Sequence, residues 1–297
     1  GGESVFRWSL TRGGALIGLQ FLLGLLLPQR FEIASPGILT LLGICTLIFP
    51  LYYIRDTMSI RAGIDPRIAR TFRAIFVTIL AWFIFTTWTS LQPGPTWTDM
   101  THVESVLDWF TKVAISGTYP LLPWLTYFII GSIIDERPLE GFAKKIQIRN
   151  TALIAFGSLI LTAIISTMTE VSWAVTMGVG VLTFFPANPW FVLVSCSMSV
   201  FIWDLFRSIR TPKWVYSVLA PSGRLSLTIY ILHFALLGIV EPHLPDYGLE
   251  IAFLMTIGHM ALWSILAHIQ QKQAPKFSIE HLLREFSNLN SRKSENE

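Results

Sequence analysis

The chain has 297 residues, of which 52% are hydrophobic, 13% aromatic and only 14% charged, and its mean hydropathy is +0.55. About a quarter of the residues in an ordinary soluble domain are charged, so this composition excludes a soluble globular fold and indicates a membrane protein. The formal net charge of +3 needs no nucleic acid to explain it, and no basic module interleaved with aromatics is visible.

Runs of about 20 residues with few charges are long enough to cross a hydrocarbon core. The sequence holds eight such runs, at 13–28, 37–54, 72–91, 117–134, 150–168, 187–206, 224–240 and 249–268. They predict an all-α, polytopic membrane helix bundle of about eight transmembrane helices over residues 1–268, followed by a cytoplasmic polar tail, 269–297. Lys and Arg concentrate on the cytoplasmic side of short loops. With both termini inside, all but two of the 22 basic residues, Arg30 and Lys112, fall on that side. The first residues, "GGESVFRWSLTRGG", lack a methionine and carry neither the charged start nor the cleavage region of a signal peptide, so an upstream segment is expected.

Between the third and fourth runs lies a long outer loop. Val103, Val106, Leu107, Phe110 and Val113 share one helical face there, predicting an interfacial helix over an outer cavity. Asp99, His102, Glu104 and Asp108 would give this region a titratable rim, or simply a solvated polar face.

The fourth run opens with "GTYPLLPWLTYF". Tyr119, Pro120, Pro123 and Trp124 crowd its entrance, and the sixth run repeats the spacing at Pro186, Pro189 and Trp190. Proline in a first turn forfeits no internal hydrogen bond, and Trp and Tyr favour the headgroup level. The stretches read either as well-made helix starts in the aromatic belt or as two rigid walls, similar in shape, against which a sugar ring stacks on Tyr119, Pro123 and Trp124. Gly117 would let the chain turn into the helix and Gly131 would let a neighbour pack closely. These two inward-running helices are expected to finish at Asp135 and Asp204. Cys45 and Cys196 sit inside runs, where a thiol behaves as a small hydrophobe. No metal-ligand spacing, glycine-rich phosphate loop or nucleophile elbow appears, so no metal site is expected.

Ionisable residues inside a membrane usually face a cavity or a partner. Ser226, Tyr230 and His233 follow four- and three-residue steps on one helix, and His259 with Thr256 sits near the middle of the next. Counted from Arg224 and His268, each histidine lies about 14 Å from the inner boundary at 1.5 Å per residue, so the two can meet at one depth. The plainer alternative is that each stays neutral and bonds a neighbouring helix. In the tail, "FSIEHLLREF" spaces Phe277, Leu282, Leu283 and Phe286 as a short amphipathic helix on the inner surface.

Together, "TYPLLPWLTYFIIGSIIDE", "FFPANPWF" and "GRLSLTIYILHFAL" resemble the transmembrane acyltransferase superfamily, the heparan-α-glucosaminide N-acetyltransferase-like proteins and their prokaryotic relatives. The start, "FRWSLTRGGALIGLQFLL", is similar to the region after that family's first two spans, and "APKFSIEHLLREF" is similar to the close of some relatives. The resemblance implies a multi-pass enzyme of a prokaryotic plasma membrane that transfers an acyl group from cytoplasmic acyl-CoA to a sugar or glycolipid on the outer side. Its partners would be membrane lipids, acyl-CoA and that acceptor, with a homo-oligomer left open and no tightly bound cofactor. The family's leading catalytic histidine and its arginine belong to first spans that have no counterpart here. His233 matches the "SL-x-x-Y-x-x-H" position, and His233 and His259 become the candidate catalytic pair, with Ser226 and Tyr230 as substrate-binding neighbours. Arg224 matches a family position for holding CoA. Arg70 and Arg73, with Arg55, Arg61 and Arg67, could grip CoA phosphates, although positive-inside orientation accounts for the same residues. The rival readings are a membrane carrier and a non-catalytic remnant.

Overall fold

The computed structural model describes residues 2–28, 31–89, 95–134, 141–209, 212–240, 243 and 248–293. In chain order the helices are α1 (Gly2–Leu26), α2 (Ile38–Arg61), α3 (Pro66–Thr89), α4 (Trp97–Thr101) and α5 (Val106–Thr111), which runs into a π-helical turn, Lys112–Ser116. Then come α6 (Leu121–Ile133), α7 (Gly141–Thr169), strands β1 (Ala174–Met177) and β2 (Leu182–Phe185), α8 (Pro189–Ser208), α9 (Lys213–Arg224), α10 (Ser226–Val240), α11 (Leu249–Gln273) and α12 (Ile279–Lys293). The all-α expectation therefore holds except for one small ribbon. Two compact units emerge, one of residues 34–210 and one combining 1–33 with 211–297.

The way side chains sort around these helices is that of a membrane protein. Along α7 the small residues Ala155, Ser158 and Thr162 are buried, at 0%, 8% and 0% exposure, while Leu153, Ile160 and Met168 are 65%, 59% and 78% exposed. Water would reverse that pattern. In lipid the large apolar groups face outward at no cost, and small residues let helix backbones approach. Against α7 lies α8, running antiparallel, with Ser158 and Ser197 hydroxyls 3.1 Å apart and Phe156 packed on Phe201. A similar outward stripe, Phe72, Phe76, Ile79 and Phe83, marks α3.

Four helical segments among the described residues are long and apolar enough to cross a membrane: Val5–Leu26, Lys144–Thr169, Pro189–Ser208 and Glu250–Gln273. Two bent pairs bring the number to six, Val106–Ser116 with Leu121–Ser132 at 52° and Lys213–Arg224 with Ser226–Val240 at 72°. That number is two smaller than the eight apolar runs: α2, whose apolar part is short, Ile38–Leu51, and α3 are not among the segments that qualify.

Within the 34–210 unit, α3 packs on α6, and α6 on α8. Ser35 Oγ donates to Thr101 O at 2.5 Å and Thr118 Oγ1 to Pro36 O at 3.0 Å, tying the entry to α2 onto the α4–α6 region. The loop before α8 was not foreseen as strand. β1 and β2 pair in parallel, Ala174 opposite Leu182 and Met177 opposite Phe185, although only a short turn joins them. Two glycines make that return feasible. Gly178 holds φ +94°, and a Cβ at Gly180 would stand 2.5 Å from a Val175 methyl. Asn188 then locks the ribbon to α8: its side-chain oxygen caps Phe191 N, and its amide donates to Gly180 O and Val181 O.

In the other unit, α1 packs on α12, α9 on α11, and α12 also touches α10. The tail is thus partly built into the fold. Phe277 precedes α12 and is not on its face, contrary to the predicted stripe, while Leu282 and Phe286 are 64% and 63% exposed on the helix itself.

Candidate functional site

Two sites take shape, one in each unit, and they are described separately. In the unit of α1 and α9–α12, consecutive helices bring His233 and His259 together. Their ring centroids are 6.0 Å apart at 73°. Tyr230 stands 5.6 Å from the His233 ring, and Phe234, 4.3 Å away, covers another side. His233 Nδ1 contacts Ile229 O at 3.1 Å, and the Trp263 indole N–H donates to His259 Nε2 at 2.8 Å. Both imidazoles are half-buried. Thr256 is exposed and bonds Ala252 O of its own helix, so it is not part of the pair. Ser226 is exposed at the first position of α10, two turns below His233. Arg224 ends α9, is exposed, and reaches Tyr216 Oη at 3.4 Å.

Two residues that matter here went unnoticed in the sequence. Trp263 lies four residues after His259, a spacing that places it on the same helical face. Glu280 of α12 accepts hydrogen bonds from Leu227 N at 2.7 Å and Thr228 N at 3.0 Å, and from the Thr228 hydroxyl at 2.5 Å. Because α9 and α10 meet at a sharp bend, the first amides of α10 have no helical partners, and a carboxylate from 52 residues away satisfies them.

In the 34–210 unit the two Pro-x-x-Pro-Trp stretches do come together. Pro123 and Pro189 line a single cavity of about 300 Å³, with Thr78, Thr126, Cys196 and Ser197 among its other walls. Their local shapes differ: the cis bonds are Leu122–Pro123 and Phe185–Pro186, at different prolines of the repeat. Trp124 stands beside the cavity, inside an aromatic cluster. It stacks on Tyr127 at 5.2 Å and meets Tyr119 at 5.1 Å, Phe184 at 5.5 Å and Phe191 at 6.3 Å. Tyr119 is likewise enclosed by Phe184 and Phe185. The two rings thus pack against protein, and Pro123 is the member of the trio that lines the cavity. The missing signal was the aromatic pair Phe184–Phe185 on β2, which reaches the entrance only through the ribbon. Cys196 and Cys45 are buried thiols, as a small hydrophobe would be.

The glycine expectations divide. A Cβ at Gly117 would stand 2.6 Å from Lys112 O, so the chain needs glycine to turn there. Nothing lies within 4 Å of a Cβ at Gly131, so close packing is not its role. Asp204 is 1% exposed and lies inside α8, not at its end, with both oxygens 3.1 Å from the Gln147 amide. Asp135 lies outside the described residues.

The arginines separate as well. Arg70 donates to Ser132 O at 2.7 Å, closing the C-terminal end of α6. Arg73 and Arg55 share the wall of a second cavity, about 430 Å³, with Phe72, Phe76 and Phe128. Arg61 is exposed, and the Arg67 side chain lies outside the described residues.

Two residues of the expected acidic rim, Asp99 and Asp108, cap helix starts, while His102 and Glu104 are exposed. Thr96 and Asp99 form a reciprocal capping box on α4, and Ser105 caps α5. Val103 falls between the two helices, so the single interfacial helix is in fact broken. Lys112 is buried: it donates to Asp99 O at 2.6 Å and pairs with Asp108 at 3.6 Å. Hydrogen bonds from the Thr96 hydroxyl and amide hold the Asp99 carboxyl below its ordinary range. A lowered folded pKa means that the cap contributes fully at neutral pH and is lost as pH falls through that lowered value. Asp99→Asn is therefore expected to lower the amide protection factor at Met100 at pH 7, and wild-type protection to fall to the variant's as pH drops through the lowered carboxyl value. Equal protection in both at pH 7 would show that the box contributes nothing.

No known protein-family model, curated protein or solved structure matches the chain.

Proposed function

We propose that the chain is an integral-membrane acyltransferase that moves an acyl group from cytoplasmic acyl-CoA to a sugar or glycolipid acceptor on the outer side, in an eight-span arrangement with both termini inside. The observation that carries this reading is the histidine pair. Two imidazoles 6.0 Å apart, on consecutive apolar helices and flanked by Tyr230, are costly to keep in a membrane and suit proton transfer during acyl exchange. The cavity walled by Arg55 and Arg73 suits the phosphates of an acyl-CoA, since guanidinium groups pair with phosphate in two-point geometry. The apolar cavity at Pro123 and Pro189 suits the chain of a lipid-linked acceptor.

The test is acyl transfer from labelled acyl-CoA by the purified chain in lipid nanodiscs, with sugar and glycolipid acceptors supplied. Transfer that disappears in His233→Gln supports the reading; neither hydrolysis nor transfer with any acceptor sinks it. The carrier reading draws on the helix pairs broken at 52° and 72°, since carriers bind cargo where helices are interrupted. Substrate counterflow in proteoliposomes without turnover of acyl-CoA would favour it.

Topology has its own test. His102 and Arg61 are both exposed, so cysteines placed there should accept a reagent in intact cells at 102 and not at 61. Labelling in the reverse order would invert the orientation and place the donor cavity on the wrong side.

A further inference from the structure

The partners of the two imidazoles dictate where each carries its proton. A main-chain carbonyl can only accept, so the 3.1 Å contact with Ile229 O puts hydrogen on His233 Nδ1. An indole can only donate, so the 2.8 Å bond from Trp263 leaves a bare lone pair on His259 Nε2. In the neutral pair the remaining atoms are complementary. His233 offers the lone pair of Nε2, and His259 offers the proton on Nδ1.

We propose that the Ile229 carbonyl and the Trp263 indole divide the pair into an acceptor, His233, and a donor, His259, with Trp263 as the positioning residue that enforces the division. This deepens the acyl-transfer reading and rests on it. A hydroxyl or amine acceptor bonds through its oxygen or nitrogen to the thioester carbonyl carbon and gives its proton to His233 Nε2. The carbonyl oxygen, gaining negative charge, accepts a hydrogen bond from His259 Nδ1–H. As the carbonyl reforms, the carbon–sulfur bond breaks, and the proton on His233 passes to the departing CoA thiolate. An ester or amide and free CoA result, and both histidines return to their starting forms.

The assignment follows from fixed chemistry. Trp263 rides on the same helix as His259, four residues on, so the indole keeps its place relative to the imidazole whenever α11 is formed. Without that N–H, a neutral imidazole exchanges freely between its two tautomers. Trp263→Phe removes the donor and keeps an aromatic ring, which separates the hydrogen bond from packing.

The measurement is nitrogen-15 NMR of the full chain in nanodiscs with labelled histidine, resonances being assigned through His233→Gln and His259→Gln. In wild type, neutral His259 should appear wholly as the Nδ1–H tautomer, and so should His233. In Trp263→Phe, the His259 signals should move to those of a tautomer mixture while His233 keeps its own. Wild-type His259 carrying its proton on Nε2 overturns the proposal, and so does a Trp263→Phe spectrum unchanged from wild type. Neither reading requires turnover. The division can thus fail in a protein that transfers acyl groups, and acyl transfer can fail in a protein whose histidines are divided as described.

Discussion

Replacing Glu280 with alanine is expected to destabilise the protein by about 3 kcal/mol, the scale of losing hydrogen bonds to a charged group and leaving amides unmet. Three contacts disappear at once, from Leu227 N, Thr228 N and the Thr228 hydroxyl. A fourth is loosened, because Ile279 N donates to the same hydroxyl at 2.9 Å. The carboxylate also sits at the positive end of α10, so its removal costs the favourable interaction with the helix dipole. Glu280→Gln, which keeps one accepting oxygen, should cost about half as much. Arg284→Ala, on the exposed side of the same helix, should change stability by less than about 0.5 kcal/mol. Thermal unfolding of purified protein in one detergent checks all three. A loss for Glu280→Ala no larger than that for Arg284→Ala would mean α12 merely rests against α10. The consequence reaches the site, since α10 carries Tyr230 and His233 and its first turn is held by this one side chain.

The second large effect belongs to Gln147. Gln147→Leu should cost about 3 kcal/mol, because it strands a carboxylate that is 1% exposed and removes the amide bonded to both its oxygens. Changing both residues, Gln147→Leu with Asp204→Leu, should recover most of that loss, since an apolar pair in an apolar surround carries no desolvation cost. The sign of the coupling is the test. Additive losses in the double variant would show that Asp204 draws its support from elsewhere. The same helix pair is closed one turn further on, where Lys144 Nζ donates to Ser208 O at 2.5 Å, placing a cation at the C-terminal end of α8.

The legible part of the site was the part set by helical spacing. Tyr230 and His233 are three residues apart, and a depth count from the charged ends of two consecutive helices was enough to bring His233 and His259 to one level. Trp263 was legible by the same rule but gave no reason to be chosen, since tryptophan in a membrane helix ordinarily marks an interface. Thr256 fails because a hydroxyl three residues from a histidine can satisfy itself on its own helix, as it does with Ala252 O. The entrance at Pro120–Trp124 looked open because an apolar run announces nothing about loops distant in sequence. Phe184 and Phe185 close around it from β2.

By itself the amino-acid sequence determined the apolar surround, the class of fold and the positions of most of its long helices, because hydropathy and helical period are local properties that lipid reads directly. It also allowed two histidines to meet, and the structure places their rings 6.0 Å apart. Only the tertiary structure decided which polar groups are spent on holding the fold and which are left for chemistry. Asp99, Asp108, Asp204, Arg70 and Glu280 are all consumed by caps and cross-ties; Asp204 is held by the Gln147 side chain, whereas the other four each bond at least one main-chain amide or carbonyl, groups that nearly every residue type carries alike. A sequence names side chains, whereas a cap is defined by where unpaired backbone groups end up, and that place exists only once the helices have broken, bent and packed.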